Sequence, residues 1–183
     1  MAACALLPPG TATILSGAAA DAARVSARAP SCTVLHFAAH GVVFDDRPLD
    51  SCLALANGTL TVRDIYGLQL RADLVVLSAC RSGAGRITGD GIMGLTRAFF
   101  YAGTPSIVAT LSDVADVSAG YFVPRFYRSW RQGNDKAAAL RTAQLSLLHA
   151  LRAGRITVDT PAGKFVVPEH PALWARSSSS GQP

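Results

Sequence analysis

Two short apolar runs in this chain each end on a side chain able to do chemistry. Residues 35–41 read Leu-His-Phe-Ala-Ala-His-Gly, and residues 74–80 read Leu-Val-Val-Leu-Ser-Ala-Cys. An imidazole at His40 can take the proton of a thiol at Cys80, leaving a thiolate that attacks a carbonyl carbon. Only the thiolate is nucleophilic, and a free cysteine titrates near ~8.5, so a neighbouring base decides whether the residue reacts. If the two runs are adjacent strands of a parallel sheet, His40 and Cys80 meet just beyond the strands' carboxyl ends, where such sheets build their sites. The bland alternative is a buried structural cysteine and a satisfied core histidine. Gly41 argues against it, because a glycine lets backbone approach a ligand closely. His36 is a rival base on the same side of a strand as His40, but it lies deeper and lacks the following glycine, so it reads as structural. His149 and His170 stand apart from both runs.

The elements that position these residues follow from pattern. Residues 33–38 and 74–78 read as core strands, and 107–111 as a third; the unbroken apolar character of 74–78 implies burial on both faces. Residues 12–15 make a further candidate strand, and 18–28 a short alanine-rich helix stopped by Pro30. Cys52 to Leu60, with Asn57-Gly58 in the middle, reads as a hairpin, since Asn-Gly favours a tight turn with positive φ. Thr61, with Asp64 three residues on, has the form of a helix cap. Ile92, Leu95, Phe99 and Ala102 recur at helical spacing, with Asp90 as a cap. Residues 117–130 form another helix around Pro124. A last helix, capped by Asn134 or Asp135, puts Leu140, Ala143, Leu147 and Leu151 on one face. Strands alternating with helices of this length predict a three-layer α/β domain with a mostly parallel sheet flanked by helices.

The whole chain narrows the classes. At 183 residues, 50% hydrophobic and 16% charged, it suits one globular domain with a sizeable core. No stretch approaches the ~20 apolar residues of a membrane span, and the start lacks the basic region of a signal peptide. Cys4, Cys32, Cys52 and Cys80 have no metal-ligand spacing, so neither a metal nor a disulfide framework is expected; free thiols fit a reducing cytoplasm. The net charge of +5 comes from arginines spread along the chain, which reads as a solvated surface rather than a nucleic-acid patch. Gly83, Gly85 and Gly89 follow a strand, but their GxGxxxG spacing and the lack of an acidic residue ending a second strand argue against a dinucleotide site. No cofactor is expected.

The blocks at 35–41, 58–68 (GTLTVRDIYGL), 72–85 (ADLVVLSACRSGAG) and 89–103 (GDGIMGLTRAFFYAG), continued by 108–116 and 137–145, resemble the CHAT domain. This is the caspase-like domain found beside TPR repeats and related to separases, metacaspases and legumains. The likeness runs from about residue 15 to about residue 174, which predicts a partial caspase-like CHAT domain, its C-terminal catalytic portion, over 1–175. Residues 176–183, Arg-Ser-Ser-Ser-Ser-Gly-Gln-Pro, read as a low-complexity, disordered tail. The resemblance implies a cysteine endopeptidase with Cys80 as nucleophile and His40 as base. Its oxyanion hole would be built from the backbone amides of Gly41 and Cys80. It also implies that the backbone at Leu111 and Ser112 pairs with a protein or peptide substrate as an added strand. Ser112 stands where the family usually has tryptophan. Asp113 and Asp116 offer a negative pocket for a basic substrate side chain, helix capping being the alternative. The expected partner is a TPR-type regulatory domain, with no nucleic acid and no membrane. The rival reading is a catalytically idle CHAT-like interaction module.

Overall fold

Residues 74–77 form β5 (Leu74–Leu77), and all four side chains are buried. A strand buried on both faces belongs in the interior of a parallel sheet covered on both sides. β1 (Val34–Phe37) runs parallel along one edge of β5, and β7 (Ser106–Thr110) runs parallel along the other. The computed structural model describes residues 10–78, 80–81, 89–110, 116–161, 163–175 and 177–181; of these, 80, 81, 89–93, 110, 116, 117, 172 and 178 are described by backbone alone. β10 (Ser177–Gly181) completes a sheet of order β1-β5-β7-β10. A second sheet has the order β4-β3-β2-β6, made of β2 (His40–Val42), β3 (Cys52–Ala54), β4 (Thr59–Thr61) and β6 (Cys80–Arg81). The architecture is a mixed α/β fold with mostly parallel strands and flanking helices, as the alternating pattern predicted.

The chain divides into two compact units. One comprises Ile14–Asp113 with Ser179–Gln182 and holds both of these sheets except the first residues of β10. Its core joins Phe37, Val75 and Leu77 from the parallel strands, Leu53 and Leu60 from the hairpin, and Leu95 and Phe99 from α3 (Gly89–Tyr101). The Phe37 and Phe99 rings lie 5.5 Å apart, centroid to centroid. The β3–β4 turn has Gly58 at φ +86°, and Leu55 N donates to Gly58 O at 3.0 Å. α2 (Val62–Tyr66) opens on a capping box: the Thr61 hydroxyl accepts from Asp64 N, and the Asp64 carboxylate accepts from Thr61 N. Gly103, at φ +113°, brings the chain against the Leu70 carbonyl, where a Cβ would sit 2.7 Å from the oxygen.

The other unit is built on α4 (Asp116–Arg131) and α5 (Lys136–Arg152), followed by the hairpin β8 (Thr157–Thr160) and β9 (Gly163–Val166) and the short α6 (Pro171–Trp174). Phe122, Phe126 and Trp130 stack along α4, with centroids 6.5 and 6.4 Å apart. Asp135 is the cap of α5, accepting from Ala138 N at 2.7 Å, and Leu140, Ala143, Leu147 and Leu151 are buried as their spacing predicted. Pro124 sits inside α4. The Arg125 guanidinium lies over the Tyr121 ring and donates to the Tyr121 carbonyl at 2.9 Å, next to the break in the helical ladder that proline imposes.

Three expectations are corrected. Residues 12–15 form no strand, and Ile14 is half exposed rather than turned into the core. The helix expected from residue 18 begins at Ala22 as α1 (Ala22–Arg28), because the Asp21 carboxylate accepts from Arg24 N and caps it there. The serine-rich end expected to be disordered contains β10. Its bonds come from backbone, and Gly181, at φ +105°, fits closely against the Pro105 carbonyl where no Cβ could go. The β8–β9 hairpin was not anticipated at all.

Candidate active site

The site is organised by one register. β1 and β5 pair from Val34↔Leu74 to Phe37↔Leu77. Ser78 N donates to Phe37 O at 2.9 Å, carrying the ladder one step past both strand ends. Beyond it, β2 and β6 pair as His40↔Cys80 and Gly41↔Arg81. The offset is 40 residues on both sides of the step, so nothing is inserted or lost between the two ladders. His40 and Cys80 are thus neighbours across a parallel strand pair, with strands about 4.8 Å apart.

β2 is held from its other edge too. β3 pairs with it antiparallel, as His40↔Ala54, Gly41↔Leu53 and Val42↔Cys52. Leu53 and its β4 partner Leu60 are both fully buried, so the segment carrying His40 and Gly41 is anchored in the core. Gly41 is buried, whereas the His40 side chain is exposed. That suits a backbone amide in a fixed place beside a side chain open to a ligand.

The other histidine and thiols differ in environment. In β1, the strand before the one that carries His40, His36 pairs with Val76. Desolvation by the surrounding protein holds its pKa down at about 4, although the side chain keeps exposed surface. Cys52 is buried in β3, and its thiol is pushed up by that burial first and by the Asp64 carboxylate second. Cys32 is half-buried, and its thiol donates to the Arg28 carbonyl at 3.4 Å.

Of the residues singled out in the sequence, the structure brings His40, Gly41 and the Cys80 backbone together. Leu111, Ser112 and Asp113 lie outside the described residues, and Asp116 is the first residue of α4. Ser78 carries no chemical signature of its own in the sequence. Its hydroxyl oxygen, just past the end of β5, is buried with no hydrogen-bond partner among the described residues. The available signal was a polar residue closing an otherwise apolar run. Among the described residues, no group of three or more His, Cys, Asp or Glu could hold a metal ion, and no helix is long and apolar enough to cross a membrane.

Comparison with known proteins fits this arrangement. The family model of the CHAT domain matches residues 2–182. Tetratricopeptide repeat protein 28 of Mus musculus is 36% identical over 99 residues, which is 54% of this chain and 4% of that protein. Tetratricopeptide repeat protein 28 of Homo sapiens is 34% identical over the same length and shares. The stretch matched is therefore a small part of these relatives. A match to the CHAT model over nearly the whole length, on a mixed α/β fold that sets a histidine beside a cysteine, means that the chain belongs to the CHAT domain family, which is related to the caspase-like peptidases.

Proposed function

We propose that this domain is a cysteine endopeptidase acting through His40 and Cys80. The observation that carries this reading is the register that makes the two residues strand neighbours at the exit of the parallel sheet. His40 takes the Cys80 thiol proton, and the thiolate sulfur attacks the scissile carbonyl carbon. The negative charge that develops on the carbonyl oxygen is met by the amides of Gly41 and Cys80. Collapse breaks the C–N bond, and His40 returns its proton to the leaving amine. Water, deprotonated by His40, then hydrolyses the thioester and frees Cys80. The sequence asks for no metal and no cofactor in these steps. A thiolate nucleophile requires a reducing compartment, and a cytoplasmic location belongs to the proposal.

Substrate is proposed to enter as an extended strand along Leu111 and Ser112, with Asp113 and Asp116 favouring Arg or Lys at the scissile position. The relatives named for tetratricopeptide repeats support a regulatory partner or domain of that type. One observation favours the rival reading, an idle interaction module: Ser112 stands where the resemblance expects a tryptophan wall. Turnover of a peptide library by the wild type and by Cys80→Ala, His40→Ala and the double variant separates the two. The proposal expects each single variant to lose nearly all turnover and the double to be little worse. Equal cleavage by all four proteins overturns it. An idle module shows no turnover in the wild type with or without a repeat-containing partner.

A further inference from the structure

The positive charge of this protein is unevenly placed. Val114–Ser178 carries nine Arg and Lys against four Asp and Glu, whereas Ile14–Asp113 with Ser179–Gln182 carries eight of each. The whole net charge of +5 therefore belongs to the α4–α5 unit. Within the two helices the only acid is Asp116, at the very start of α4. The cap Asp135 is engaged by Ala138 N.

Helix stability explains part of this. Cations in the last turn complement the helix dipole, which covers Arg128 and Arg131 in α4 and Arg152 in α5. It does not cover Arg141, in the second turn of α5, or Lys136 at the first position, where the dipole disfavours a cation. Arg128, Arg131 and Arg141 are exposed, and no acid among the described residues lies within ion-pairing distance of them. On α5, Arg141, Leu145 and Arg152 fall at i, i+4 and i+11, one solvent stripe opposite the buried face. Leu145 is 39% exposed in the middle of that stripe. Arg152 pairs with Glu169 at 3.1 Å, an exposed contact that solvent screens.

We infer that the exposed Arg141–Leu145–Arg152 stripe of α5, with exposed Arg128 and Arg131 of α4, docks an acidic amphipathic helix of a protein partner. Three features select this occupant. Arginine is the cation favoured at protein interfaces, because its planar fork binds carboxylates bidentately. Leu145 offers an aliphatic anchor that a phosphate backbone would leave unused. Of the α4 rings that could stack bases, Phe122, Phe126 and Tyr127 are buried, and the half-buried pair is already engaged, Tyr121 under the Arg125 guanidinium and Trp130 against Phe126. A single exposed leucine is also far from the broad apolar face of a helix that lies in a membrane. The inference does not depend on the peptidase reading, because binding is read without turnover.

The test is fluorescence anisotropy of the whole chain with a labelled synthetic helix bearing leucines along one face and glutamates beside them. Its Glu→Gln twin, an RNA oligonucleotide and phosphatidylserine vesicles are measured in the same buffer. The expected result is binding of the acidic helix that weakens with added salt. Arg128→Glu with Arg141→Glu lowers affinity about tenfold or more, Leu145→Ala lowers it several-fold, and Glu→Gln in the probe does likewise. Arg128→Gln with Arg141→Gln gives a smaller loss in the same direction, and serves if charge reversal alters the circular dichroism. Binding unchanged by these substitutions, no binding at low salt, or tighter binding of RNA or vesicles than of the acidic helix overturns the inference.

Discussion

His40 and Cys80 are register partners in a parallel strand pair whose offset is the same 40 residues before and after the strands step from β1–β5 to β2–β6. The residue before the step, Phe37, lies in the core beside Phe99, and the residue after His40, Gly41, is matched to buried Leu53. The proposed site is thus suspended between two buried anchors, and its geometry is a property of the fold.

Removing one anchor should loosen it. Leu53→Ala is expected to cost about 2–5 kcal/mol of stability, because Leu53 is fully buried and leaves a cavity under β2. Leu53→Met keeps the volume and should cost less than about 1.5 kcal/mol. Urea denaturation of both variants measures the difference.

The capping box at α2 gives a smaller and separable effect. Thr61→Ala removes the hydroxyl that accepts from Asp64 N, and should cost about 0.5–2 kcal/mol. Thr61→Ser, which keeps the oxygen, should recover most of it in thermal unfolding.

β10 supplies a third test. Gly181→Ala places a Cβ into the Pro105 carbonyl at a positive φ, and should destabilise the chain by about 1–3 kcal/mol. A wild-type melting temperature for this variant would mean that the serine-rich end contributes nothing to the sheet.

How much of this could be read beforehand varies with the physics of each part. β5 and the buried face of α5 were plain, because apolar runs and a Leu140-Ala143-Leu147-Leu151 stripe report burial directly. The Thr61–Asp64 cap was plain because it is local. β10 was hidden because its serines carry no hydrophobic period, and an edge strand held by backbone bonds leaves little mark on side-chain type. The β8–β9 hairpin was hidden for a similar reason, since every residue of β9 is exposed. At the site, His40, Gly41 and Cys80 announced themselves by chemistry. Their register, the Leu53 support and the buried Ser78 hydroxyl did not, because packing of distant segments sets all three.

His36 predicts a pH dependence of stability. Its folded pKa is held down at about 4 by desolvation, against about 6.5 for an unfolded histidine. As pH falls through 6.5 the unfolded chain takes up a proton that the folded chain refuses, so stability drops between about pH 6.5 and about pH 4. His36→Gln should flatten that part of the profile. Urea midpoints at neutral pH and near pH 5, in both proteins, check the sign; a wild-type profile no steeper than that of His36→Gln would contradict it.

The central claim is that Cys80 alone is activated, and by His40. Its most direct measurement is the alkylation rate of each cysteine under limiting iodoacetamide at neutral pH, mapped by mass spectrometry in the wild type and in His40→Ala. The account predicts that Cys80 reacts first and Cys52 last, burial having raised the Cys52 thiol, and that His40→Ala slows Cys80 by about tenfold or more. A Cys80 that labels no faster than Cys32, or at the same rate without His40, would contradict it.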